Sequence, residues 1–196
     1  MRSVGARFAG LALALLCGFS GAALARDASR AGDFDFYVLS LSWSPTFCLL
    51  EGTSADRLQC GAGRRNGFIV HGLWPQYERG YPEHCQAGPS QPSPQAVRSI
   101  LDLMPSERLA RHEWQKHGRC TGLSPEGYFD LTRKARSRVT IPPAFSQATS
   151  RDTGSPADIE SAFIRINPGL TPDAIAVSCD RQRLDEVRIC MTQDLR

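Results

Sequence analysis

The hydrophobic positions of this chain change period along its length. Phe34 to Trp43 is rich in aromatic and aliphatic residues, partly alternating, and ends at Ser44-Pro45, which predicts a buried strand. Phe68-Ile69-Val70-His71 predicts a second short strand, ending where Gly72 and Pro75 break regularity. His71 then sits at a strand end, where rigid backbone can hold a reactive side chain. After a polar loop over 86–94, Ser93-Pro94 supplies a capping hydroxyl followed by proline at the first helical position and predicts a helix over 94–104. Ser106 caps a second helix, running through Leu109 and Trp114 to Gly118 as its C-terminal stop. Ser124-Pro125 and Ser155-Pro156 repeat the signature and predict helices over 126–138 and 157–166. The stretch 140–156, with Pro142-Pro143 and many small polar residues, predicts a surface loop. Residues 174–179 and 184–190 predict two strands joined over Asp180 to Arg183. With no internal repeat and no strict strand–helix–strand alternation, the elements define an α+β class.

The first 25 residues follow a different logic. Arg2 and Arg7, the apolar run Phe8 to Phe19 and the small residues ending Ala23-Leu24-Ala25 have the layout of a cleavable secretory signal, so residues 26–196 are expected to be the mature, single-domain protein. The apolar run is shorter than the roughly 20 residues that span a bilayer, and no later stretch approaches that length, so no membrane anchor is expected. Cys17 lies inside the leader behind Leu15-Leu16 rather than a small residue, which argues against a lipid anchor. A secreted or periplasmic location follows. Six cysteines remain, at 48, 60, 85, 120, 179 and 190; an even number in an exported chain reads as three disulfides, with 15 pairings open on spacing alone. Zinc is the rival use, and no Cys-x-x-Cys spacing supports it. Of 23 Lys and Arg, Arg2 and Arg7 leave with the leader, so 21 face 20 Asp and Glu. A polyanionic partner would have to be met by a local cluster rather than a global field.

The cluster is His112-Glu113-Trp114-Gln115-Lys116-His117-Gly118. At about 100° per residue, His112, Lys116, Glu113 and His117 fall near 0°, 40°, 100° and 140° of one helix face. A solvated face explains any two such side chains, but here two of the chain's four histidines share it with residues that need burial. A zincin helix places its histidines four apart; His112 and His117 are five apart with Lys116 between them, which disfavours a metal. The set suits an anion with a transferable proton: His112 and Lys116 donate to phosphate oxygens, Glu113 orients a neighbouring imidazole, and His117 moves the proton. Cleaving an RNA phosphodiester takes one group to accept the 2′-hydroxyl proton and another to protonate the departing 5′-oxygen, and one helix cannot reach both sides of the phosphorus. His71 is the candidate for the second role. Gly72 beside it allows close backbone approach, and Trp74 offers a flat face to a nucleobase.

His-Gly-Leu-Trp-Pro at 71–75 and His-Glu-Trp-Gln-Lys-His-Gly at 112–118, in that order and about 40 residues apart, resemble the two active-site segments of the ribonuclease T2 family. Phe34 to Trp43 with Thr46-Phe47-Cys48 is similar to its first strand, and 174–190 to its closing hairpin. The resemblance implies a central antiparallel sheet flanked by helices, stapled by disulfides. It also implies metal-independent, cofactor-free endonucleolytic cleavage of single-stranded RNA through a 2′,3′-cyclic phosphate, with DNA left intact for want of a 2′-hydroxyl. His117 would be general base, His71 general acid, and His112, Glu113 and Lys116 would hold the phosphorane. Cys85–Cys120, Cys179–Cys190 and, with them, Cys48–Cys60 would be the bridges. Trp74 and Tyr81 resemble a base-stacking pair, while Gln76 stands where some members carry an acidic base-recognition residue, which leaves base preference open. His84 matches no catalytic position and reads as a loop histidine. A monomer is expected. The competing class is a catalytically silent extracellular binding protein on the same scaffold, whose mark would be loss of a proton-transfer histidine; both are present.

Overall fold

The computed structural model describes residues 30–146 and 154–196. The leader read at 1–25, with Cys17, and part of the 140–156 loop lie outside the described residues. Strand β1 (Phe36–Trp43) runs straight into helix α1 (Ser44–Glu51), with Pro45 in the first turn, and a short helix α2 (Arg57–Cys60) follows. Neither helix is predicted by the sequence pattern. The Cys48–Cys60 disulfide, with Cα atoms 5.4 Å apart, ties the two together.

Strand β2 (Phe68–Gln76) passes through Gly72 and Pro75 instead of stopping at His71. It can do so because it is the edge strand of a four-stranded antiparallel sheet in the order β2-β1-β4-β3, where a missing N–H leaves no ladder partner unpaired. The register against β1 slips once: Ser40 pairs with Gly72 and Leu41 with Val70, leaving His71 as the extra residue of a bulge. Bulges re-aim the side chain they carry.

The serine-capped helices all form. Ser93 accepts from the Ala96 amide at the start of α3 (Pro94–Arg98), Ser106 from Leu109 on α4 (Glu107–Lys116), and Ser124 from Gly127 on α5 (Pro125–Ser137). Ser155 closes a reciprocal capping box with Asp158 on α6 (Pro156–Ile166). Helix α3 is shorter than the predicted 94–104, giving way to turns after Arg98. Gly118 does not stop α4: the helix ends at Lys116, and a 3-10 turn over Gly118–Thr121 carries on to Gly122, whose φ of 77° makes the left-handed exit. Gly118 is required for packing instead, since a Cβ there would lie 2.6 Å from the Trp114 ring and 2.9 Å from Tyr128. The loop after α5 is less superficial than its composition implies, because Phe145 is buried edge-on against Trp43.

The closing hairpin is β3 (Ile175–Asp180) and β4 (Arg183–Met191), joined by Arg181 and Gln182, both at positive φ as a two-residue primed turn requires. Its expected staple is absent: Cys179 and Cys190 are free and exposed. The register explains this, since Cys179 lies opposite Leu184, six residues from Cys190, or about 20 Å along the strand. The side chains Leu39, Leu41, Leu73, Val187, Trp114, Phe129 and Phe163 meet in the core between the sheet and the helices. Helices α4 and α5 contact β2, and α6 contacts β3. Among the described residues no helix is long and apolar enough to cross a membrane.

Candidate active site

Val38, Ser40 and Ser42 alternate with the core-facing Leu39, Leu41 and Trp43 along β1, and the small Ser40 and Ser42 leave room above the sheet centre. Into that space β2 sends His71, β4 sends Glu186 and Arg188, and α4 sends its polar face from the other side. Two cavities result. One, of about 340 Å³, is lined by His71, Trp74, Gln76, Tyr81, His112, Glu113, Lys116, His117 and Arg188. It gathers every catalytic and base-binding candidate read from the sequence. The other, of about 540 Å³, shares His71, His112 and Arg188 with it and opens toward Phe47, Arg108 and Asp185. His84 stays outside, exposed in the loop before Cys85 at φ 52°, with its amide donating to the Lys116 carbonyl. The Cys85–Cys120 disulfide, with Cα atoms 5.0 Å apart, ties that loop to the turn after α4.

On the helix side, Glu113 is buried and accepts a 2.7 Å hydrogen bond from the Trp74 indole N–H, while its other oxygen lies 3.7 Å from His71 Nε2. Burial raises its carboxyl to about 7, against the opposing pull of His71 and Trp74. Gly72 has no room for anything larger: a Cβ would fall 2.1 Å from Glu113 Oε2 and 2.3 Å from Trp74 Nε1. His117, just past the last turn of α4, is buried with its ring 5.3 Å from Trp74, and among the described residues its Nδ1 has no hydrogen-bond partner. Burial, joined by the positive charges of Lys116, His112 and His71, lowers this imidazole to about 3. His112 is also lowered, by burial and by Lys116. Lys116 itself sits 3.9 Å from Glu83 and over the Tyr81 ring at 6.0 Å.

On the sheet side the balance reverses. Burial would lower His71 too, but its Nδ1 is hydrogen-bonded to Glu186, and the charges of Glu113 and Glu186 raise it above the ordinary imidazole value. Glu186 is itself buried, yet the His71 contact and two bonds from Arg188, at 3.0 and 2.7 Å, bring it down to about 2. The Arg188 guanidinium also lies 5.3 Å from the Trp74 ring centre. Sequence reading missed Glu186 and Arg188. The sequence carries little signal for them: Glu186 and Arg188 alternate with Val187, Ile189 and Met191 as the second face of any half-exposed strand would, and only the folded sheet shows that this carboxylate is buried.

The Ribonuclease T2 family profile matches residues 34–196, so the chain belongs to the ribonuclease T2 family. A ribonuclease of Aeromonas hydrophila is 44% identical over 124 residues, 63% of this chain and 54% of that protein. A probable ribonuclease of Haemophilus influenzae is 34% identical, covering 60% of this chain and 47% of its own length. The chain thus spans about half the length of these two relatives. Ribonuclease I of Escherichia coli is 29% identical, with 94% of this chain and 85% of that one covered. Among solved structures, trichomaglin, described as an S-like ribonuclease, aligns at TM-score 0.66 with 21% identity over 83% of this chain and 89% of its own. RNase NT in complex with 5′-AMP aligns at 0.62 with 23% identity, over 84% and 88%. The fold, a helix-flanked antiparallel sheet, is therefore that of the family.

Proposed function

We propose that this protein is a secreted or periplasmic endoribonuclease that cleaves single-stranded RNA by attack of the 2′-hydroxyl, without a metal. The observation that carries the reading is that His71 and His117 line one cavity while their surroundings push them in opposite directions, His117 toward the neutral base and His71 toward the charged acid. Relatives that are named ribonucleases, and a family structure holding 5′-AMP, support a nucleotide substrate.

His117 removes the 2′-hydroxyl proton as that oxygen bonds to phosphorus; His71 protonates the 5′-oxygen as the P–O5′ bond breaks. The products are a 2′,3′-cyclic phosphate and a free 5′-hydroxyl, and water can open the cycle with the two roles exchanged. Lys116 and His112 supply hydrogen bonds to the phosphorane oxygens where negative charge develops. Glu113 holds Trp74 and sits beside the acid. Tyr81, 49% exposed, offers the more open stacking surface for a base, because the Trp74 ring is already crowded by His117 and Arg188. Gln76, which lines the same cavity, presents an amide with both donor and acceptor to the base edge.

Incubating the oxidised protein with RNA and, separately, with DNA in excess EDTA tests the reading. RNA fragments with cyclic phosphate ends and intact DNA are expected. Efficient DNA cleavage, or complete inhibition by EDTA, overturns the mechanism, and intact RNA would favour a silent binding protein.

A further inference from the structure

The proposed reaction uses His71 but does not explain what aims it. We propose that Glu186, anchored by Arg188, is the positioning residue for His71, fixing the imidazole with Nδ1 toward β4 and Nε2 in the cleft. The inference rests on the ribonuclease reading above for its kinetic consequences and on geometry alone for the contact itself.

Three features of the fold carry it. The bulge at His71 turns this side chain out of the alternation of β2, so the strand does not by itself fix the ring. β1 lies between β2 and β4, and pairs Glu186 with Ser42 and Arg188 with Ser40, so only small side chains separate the histidine from the carboxylate two strands away. The Glu186 carboxylate then uses one oxygen for His71 Nδ1 and the other for Arg188 Nε and its terminal nitrogen. An imidazole held through Nδ1 has its second nitrogen committed to the cleft, and that nitrogen is the one 3.7 Å from Glu113.

The charges around the ring explain why a carboxylate is needed there. His71 faces Glu186, Arg188 and Asp185 from β4, and Glu113, His112 and, further off, Lys116 and His117 from the α4 side. Four of these are or can become cations. Glu186 keeps the imidazole charged among them, and Arg188 keeps Glu186 ionised. A neutral amide of the same shape removes the charge and keeps one acceptor oxygen in place of two, so it cannot accept from both His71 and Arg188 as the carboxylate does.

Glu186→Gln and Glu186→Asp test this. With a dinucleotide substrate, Glu186→Gln should lower kcat about 10- to 100-fold, the range for removing the partner that orients a functional imidazole, with little change in KM. The alkaline limb of its pH profile should fall by about 1 pH unit or more. With a ribonucleoside 3′-(4-nitrophenyl phosphate), whose leaving group departs without a proton, the loss should shrink severalfold. Glu186→Asp should recover part of the lost kcat. NMR titration of the His71 ring should show its pKa lowered in Glu186→Gln, a readout that needs no activity. Equal loss on both substrates, or an unchanged His71 titration, overturns the positioning role. If the wild-type protein leaves RNA intact, the ribonuclease reading fails while the titration still decides whether Glu186 governs His71.

Discussion

The two walls of the cleft differ in how they are built and in what they do to a proton. The α4 wall comes from six consecutive residues, its histidine sits among cations with a buried nitrogen unpartnered, and the proton is driven off. The sheet wall joins His71 on β2 to Glu186 on β4, 115 residues later, and that carboxylate, with Glu113 reaching across from α4, holds the proton on. In the proposed reaction the same side chain thus serves as base on one wall and acid on the other. What distinguishes the roles is the sign of the neighbouring charge, since burial alone disfavours the charged form of both rings.

The largest expected effects come from removing either imidazole. His71→Ala and His117→Ala should each lose about 10²–10⁴-fold in kcat on a dinucleotide, the usual worth of general acid or base assistance. A loss under tenfold for one of them would break the symmetry of the two walls. Next comes the junction between them: Gly72→Ala forces a methyl against Glu113 and Trp74 and should cost about 1–3 kcal/mol of stability with a matching fall in activity. Thermal unfolding and steady-state kinetics read both, and a variant with unchanged activity would show that the Trp74–Glu113 contact is dispensable.

The disulfides sharpen the contrast further. Replacing Cys85 and Cys120 by Ala, which unties the loop beside the α4 wall, should cost about 2–5 kcal/mol, whereas Cys179→Ser or Cys190→Ser should stay within about 0.5 kcal/mol. Chemical denaturation separates the two, and non-reducing peptide mapping that recovers a 179–190 bridge would contradict the hairpin register. Smallest in size is the pH response. His117 is neutral above about 3, and His71 stays charged to above its ordinary 6.5, so kcat/KM should rise through the acid limb near 3 and fall only above neutral pH, the upper limb belonging jointly to His71 and Glu113. An acid limb near 6 would show that His117 is not depressed.

The difference between the walls also governs what the sequence makes legible. The α4 wall is local: helix periodicity alone places His112, Glu113, Lys116 and His117 on one face, and the structure brings all four to one cavity. Serine caps read the helix starts to within a residue or so because capping is a backbone event confined to one turn. The sheet wall depends on register. That Glu186 meets His71 follows only once β1 is known to separate β2 from β4 and to slip at Ser40, and no short-range pattern encodes either fact. The hairpin cysteines illustrate the same limit, since an eleven-residue spacing looks bridgeable until the turn is placed at Arg181-Gln182 and puts them at opposite ends. Strand β2 outran its predicted end because an edge position tolerates proline, which is a property of the sheet and not of the segment.

The division of proton transfer between the walls is tested most directly by changing the leaving group. Wild type, His71→Ala and His117→Ala, each shown to be folded by circular dichroism, are compared on a natural dinucleotide and on the 4-nitrophenyl ester of the same 3′-nucleotide. His71→Ala should regain most of its lost activity on the activated ester, because nitrophenolate leaves without a proton, and His117→Ala should remain impaired on both, because the 2′-hydroxyl must be deprotonated in either case. Recovery by His117→Ala instead would reverse the two walls, and recovery by neither would contradict an acid role for His71.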